Sequence, residues 1–152
     1  MLLFPDQILD EEDHIAFSHQ FGVLEVTYQK ARKRRLRVEF ADASNLGSDG
    51  ELLAPDSERA KYNRANQLWH SDASFRAIPS KYSLLYAETV ASKDGETEFA
   101  DERAGWNFLD TQRKERAEKM VACHSLMTSR SKTGFKTFTA EEGVSLKPVP
   151  QA

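Results

Sequence analysis

LWHSDASF, residues 68–75, is the stretch on which the fold turns, because it sets a histidine and an aspartate two residues apart in a strand-like run. Along a β-strand, side chains at i and i+2 share a face, so His70 and Asp72 converge while Trp69, Ser71 and Ala73 point the other way. An imidazole beside a carboxylate is two-thirds of the 2-His-1-carboxylate facial set that holds non-haem Fe(II) and leaves positions open. The same spacing also suits a hydrogen-bonded surface pair, and spacing alone leaves both open.

Upstream, residues 43–66 (ASNLGSDGELLAPDSERAKYNRAN) read as a long loop of turn formers that delivers the chain into this stretch. Downstream, KYSLLYAETVA at 81–91 predicts a strand, and Asp94-Gly95 in SKDGETEFAD predicts a turn. Asp101 is placed to cap a helix through Leu109, and Asp110 a second from about Gln112 to Val121 that buries Ala117, Met120 and Val121. CHSLMTS at 123–129 predicts another strand, and the tail from Ser131 is polar and rich in turn formers. Nearer the start, LDEEDHIAFSHQFG at 9–22 predicts a helix with an acidic first turn and Gly22 as its stop. VLEVTY at 23–28 and RLRVEFAD at 35–42 alternate as two strands. The basic run between them, Lys30 to Arg37, predicts a solvated hairpin end.

Composition sets the outer bounds. Apolar residues make up 39% and charged residues 30%, as in folded globular domains. A net charge of −3 supplies no general field for nucleic acid, and no apolar run is long enough for a spanning helix. One cysteine, Cys123, rules out an internal disulfide and a multi-thiolate zinc site, which fits a cytoplasmic setting and a metal held by nitrogen and oxygen. Together these features predict one mainly β domain over residues 1–152 with interposed helices.

The stretch NQLWHSDASFRAIPSKYSLLYAETVASKDGETEFADER, residues 66–103, resembles the taurine and 2,4-dichlorophenoxyacetate dioxygenase (TauD/TfdA) family. Trp69, His70, Ser71, Asp72, Ser74, Phe75, Pro79, Gly95, Thr97, Phe99 and Asp101 fit the family pattern. LLFPDQILDEEDHIAFSHQFGVLEV at 2–26 and CHSLMTSR at 123–130 are similar to further family blocks, the latter to the herbicide-degrading branch. The resemblance implies a double-stranded β-helix, or jelly roll, with Fe(II) and 2-oxoglutarate, acting with O2 on small anionic substrates such as aryloxyacetates or sulfonates. It implies that His70 and Asp72 are iron ligands, that Thr97 helps hold a carboxylate of 2-oxoglutarate, and that Asn66 contacts substrate. Trp69 flanks the metal in that family and also suits plain packing. Two positions depart from the pattern: Asp94 stands for a glycine, which an aspartate tolerates in a left-handed turn, and Ala91 for a proline.

The family's third ligand is a distal histidine followed by an arginine, yet His124 is the only histidine after Asp72. Its segment is one the family has in addition to the distal ligand, so His124 is expected to line the interior. His14, His19 and Arg130 are expected at the surface. The chain is therefore expected to be the front and middle of a longer domain, with exposed strand edges open to a partner or a homo-oligomer contact. Its alternative is a non-catalytic remnant or partner-binding module of the same fold.

Overall fold

Local capping accounts for each α-helix of the computed structural model, which describes residues 1–26 and 34–151. Helix α1, Glu11–His19, starts where the Asp10 carboxylate accepts from the Asp13 amide at 2.8 Å, and three acidic residues fill its first turn. It stops three residues before the end of the predicted segment, where Gly22 takes φ +137°. Helix α2, Glu58–Arg64, is capped by Ser57 and runs into a single 3-10 turn, Ala65–Gln67. Asp101 caps α3, Glu102–Phe108, and Asp110 caps α4, Thr111–Ala117. Ser125 caps α5, Leu126–Ser131, and a reciprocal Thr139–Glu142 box caps α6, Ala140–Ser145. Strand β1, Ala122–His124, pairs antiparallel with β2, Val149–Gln151, His124 lying opposite Val149.

The core gathers between α2 and the last quarter of the chain. Phe135 is 1% exposed, with its ring centroid 5.1 Å from that of Tyr62 and 5.0 Å from that of Phe138, both edge-on. Ala65, Leu126 and Leu146 are buried with it. Thr133 Oγ1 donates to the Lys61 carbonyl at 2.7 Å, and Thr137 Oγ1 to the Glu58 carboxylate at 2.7 Å, tying this loop to α2. Lys61 and Thr137 together hold Glu58 below the ordinary carboxylate range. A looser aromatic group links α1 to the 82–87 segment through Phe17, Phe21 and Tyr82, and through His14 with Phe40 and Tyr86.

Of the mainly β expectation the described residues show one two-stranded sheet, beside six α-helices. The described parts of 23–28, and 35–42, 68–75 and 81–91, are not strands. A strand is defined by ladder bonds to a neighbour about 4.8 Å away, and alternation alone cannot supply that neighbour. Segment 81–91 nevertheless keeps period two, Leu84 and Tyr86 half-buried and Leu85 out. The 43–66 loop contains α2, CHSLMTS is split between β1 and α5, and the polar tail supplies Phe135 and Leu146 to the core. Helix α4 stops at Ala117, leaving Met120 and Val121 exposed. Residues 30–33 of the basic run, and 27–28 of the first predicted strand, lie outside the described residues. Of the rest, Arg35 pairs with Asp42 at 3.1 Å and Arg37 with Glu12 at 2.9 Å. Burial raises the Asp42 pKa, but hydrogen bonds from Arg35 and Ser44 outweigh it and hold the group below its ordinary value.

Candidate metal centre

His70 and Asp72 meet without a strand. The 3-10 turn ends as the Leu68 amide donates to the Ala65 carbonyl at 3.2 Å, and the chain then leaves extended. The Leu68 carbonyl faces His70 Nδ1 at 2.6 Å. A carbonyl only accepts, so Nδ1 carries a proton, and in the neutral tautomer that this selects the Nε2 lone pair is open to a metal. That Nε2 lies 3.3 Å from Asp72 Oδ1. Two electron-pair donors aimed at one space attract a cation, and both side chains are reachable from solvent, 46% and 59% exposed.

After Asp72 the backbone turns sharply. Ala73 takes φ +54°, a left-handed conformation that costs a residue with a Cβ about 1–2 kcal/mol, and the Arg76 amide closes the turn on the Ala73 carbonyl at 2.9 Å. Gln151 Nε2 at the end of β2 donates to the carbonyls of Ser74 at 3.3 Å and Arg76 at 3.0 Å, while the Arg76 guanidinium meets Glu25 at 2.7 Å. The site loop is thus anchored beyond its far side by β2 and by Glu25.

Its near side is anchored by Arg130. Arg130 Nη1 donates to the Tyr62 carbonyl at 2.9 Å and to Asn66 Oδ1 at 2.8 Å, and the guanidinium lies 4.3 Å from the centre of the Tyr62 ring. The surface placement expected for Arg130 is therefore corrected to a half-buried clamp. No sequence signal marks this contact, which joins residues 64 apart. His14 is likewise half-buried rather than at the surface, between Phe40 at 5.4 Å and Tyr86 at 5.9 Å, whereas His19 is exposed. His124 is half-buried in β1.

Thr97 is exposed in an extended stretch behind the Asp94-Gly95 turn, and Trp69 is 68% exposed instead of packed. Asp94 and Gly95 take φ +60° and +88°, so Asp94 does adopt the left-handed conformation. Among the described residues no group of three histidine, cysteine or acidic side chains is placed to share a metal ion. No helix among them is long and apolar enough to cross a membrane.

The model of the taurine catabolism dioxygenase TauD, TfdA family matches residues 1–149. The chain belongs to the TauD/TfdA family. Among its relatives is the alpha-ketoglutarate-dependent 2,4-dichlorophenoxyacetate dioxygenase of Burkholderia sp. (strain RASC), 36% identical over 98% of this chain and 51% of that protein. The (S)-phenoxypropionate/alpha-ketoglutarate-dioxygenase of Sphingobium herbicidovorans is 37% identical over 93% of this chain and 46% of its own length. A crystal structure of AAD-2 in complex with Mn(II) and N-oxalylglycine superposes with TM-score 0.89 at 46% identity, covering 97% of this chain and 53% of that one. This TauD/TfdA chain spans about half the length of the curated relatives it matches.

Proposed function

We propose that His70 and Asp72 supply two ligands of a non-haem Fe(II) centre, in a jelly-roll dioxygenase domain that hydroxylates a small anionic substrate at the expense of 2-oxoglutarate and O2. The observation that carries this reading is the geometry of His70: Nδ1 faces the Leu68 carbonyl at 2.6 Å, the hydrogen bond that a metal-binding histidine makes with its other ring nitrogen, and Nε2 faces Asp72 at 3.3 Å. Ligands at neighbouring corners of an octahedron, each about 2.1 Å from a metal, stand about 3 Å apart, so the pair fits one ion. The third protein ligand has no candidate among the described residues.

Fe(II) held there would activate O2, one atom of which would oxidise 2-oxoglutarate to succinate and CO2 while the other entered a substrate C–H bond. The chain's own residues orient and shelter. His70 keeps its Nδ1 proton on the Leu68 carbonyl, which orients the ring for ligation through Nε2. The Thr97 hydroxyl donates to a carboxylate of 2-oxoglutarate, and the Asn66 carboxamide faces substrate. An aryloxyacetate or a sulfonate suits this reading, supported by relatives named for 2,4-dichlorophenoxyacetate, (S)-phenoxypropionate and sulfonate.

A second reading takes the chain as a non-catalytic module that pairs with another polypeptide. It is supported by apolar side chains displayed outside helix and strand, Ile78 at 84%, Leu85 at 69% and Phe99 at 66% exposure. The chain purified without oxygen, given Fe(II) and 2-oxoglutarate, separates the two. A visible charge-transfer band and succinate formation, both lost in His70→Ala, are expected of the first, and a folded sample showing neither supports the second.

A further inference from the structure

We propose that Arg130 is a positioning residue that sets the Asn66 carboxamide as a two-proton donor for an acceptor-only, anionic group of the ligand. This deepens the function proposed above and rests on it for the identity of the site.

A guanidinium has donors and no acceptor, so the atom of Asn66 that faces it at 2.8 Å must be the oxygen. The orientation of the amide is thereby fixed, and Nδ2, with two N–H groups, is turned away from Arg130. Asn66 is exposed and Nδ2 makes no hydrogen bond among the described residues. Arg130 itself cannot swing to do this work, because its Nη1 also holds the Tyr62 carbonyl at 2.9 Å and its plane lies over the Tyr62 ring at 4.3 Å. Tyr62 in turn packs edge-on against Phe135, the most buried large side chain, so the clamp stands on the rigid part of the molecule. Asn66 precedes His70 by four residues, at most about 14 Å of chain. The intervening backbone is itself bonded, from the Ala65 carbonyl to the Leu68 amide and from the Leu68 carbonyl to the imidazole. One short hydrogen-bonded path therefore fixes both the donor amide and the ligating imidazole.

An N–H donor matches an oxygen of a carboxylate or sulfonate, which can only accept, and a guanidinium on the far side of the amide polarises the N–H groups toward negative charge. A neutral ester offers a weaker acceptor and gains less.

The test titrates the full chain, labelled with 15N, with phenoxyacetate and with its methyl ester, following the Asn66 side-chain NH2 signals by NMR. Mn(II) affinity is measured separately by electron paramagnetic resonance. Phenoxyacetate is expected to shift the Asn66 signals and to bind about tenfold more tightly than the ester. Arg130→Gln should weaken phenoxyacetate about tenfold and leave Mn(II) affinity within about twofold, and Arg130→Gln with Asn66→Ala should be no worse than Asn66→Ala alone. Arg130→Lys, which keeps the charge and one donor, should retain part of the affinity and serves if the glutamine variant does not fold. Asn66→Asp still accepts from Arg130 but should lose the preference for the anion. Unmoved Asn66 signals, or additive losses in the double variant, overturn the proposal. Failure of Mn(II) to bind, with the Asn66 effects intact, contradicts the metal centre alone.

Discussion

Two regions of the chain are built in different ways. Around α2, α5 and α6 the side chains close on one another, with Phe135 1% and Leu146 3% exposed and with Thr133, Thr137 and Arg130 tied to α2. From residue 68 to 100 the backbone is extended or turning, and Trp69, Ile78, Leu85, Val90 and Phe99 lie open. The proposed metal ligands belong to the second region but are anchored by the first. The contrast separates stability from chemistry: the packed region holds the fold, and the open region carries the groups proposed to bind the metal.

The largest effect on stability is expected from Phe135→Ala. It removes the ring on which Tyr62 and Phe138 pack, and denaturant unfolding should show a loss of about 3–5 kcal/mol. Next comes Thr139→Ala, which opens the capping box of α6, where Thr139 Oγ1 accepts from the Glu142 amide at 3.1 Å; about 1 kcal/mol should go, read by the same unfolding curves. The smallest is expected in the open region. Leu85→Lys with Val90→Lys should change unfolding by no more than about 0.5 kcal/mol and reduce self-association in sedimentation. A loss there as large as that of Phe135→Ala would show that the extended segment is packed in solution and would erase the contrast.

What was legible in the sequence follows the same division. Caps are local, so Asp101 and Asp110 mark their helices, and Asp94-Gly95 marks its turn, from neighbours within four residues. Helix α2 was also locally encoded, by Ser57 ahead of a run of good helix formers, but the surrounding glycine, proline and aspartate favour a loop reading. Strands are barely legible, the 123–129 reading alone overlapping one in β1, because alternation over 81–91 specifies which side chains point inward and not which backbone lies alongside. At the site, the closeness of His70 and Asp72 was anticipated from strand geometry and is realised instead by an extended segment and a turn, since the i, i+2 relation needs extended backbone and no ladder. Arg130 reads as a surface charge because nothing near residue 130 announces Tyr62 or Asn66. The burial of Phe135 is hidden for the same reason: the ring sits in a polar, turn-rich stretch and packs against Tyr62 of α2, far away in sequence.

The pairing of His70 and Asp72 as metal ligands is most directly tested by titrating the full chain with Mn(II), a redox-stable substitute for Fe(II), under electron paramagnetic resonance. The expected result is one bound ion per chain, weakened about a hundredfold or more in His70→Ala and in Asp72→Ala, with unfolding midpoints unchanged because both side chains are solvent-reachable. Equal Mn(II) binding by the chain and both variants would contradict it.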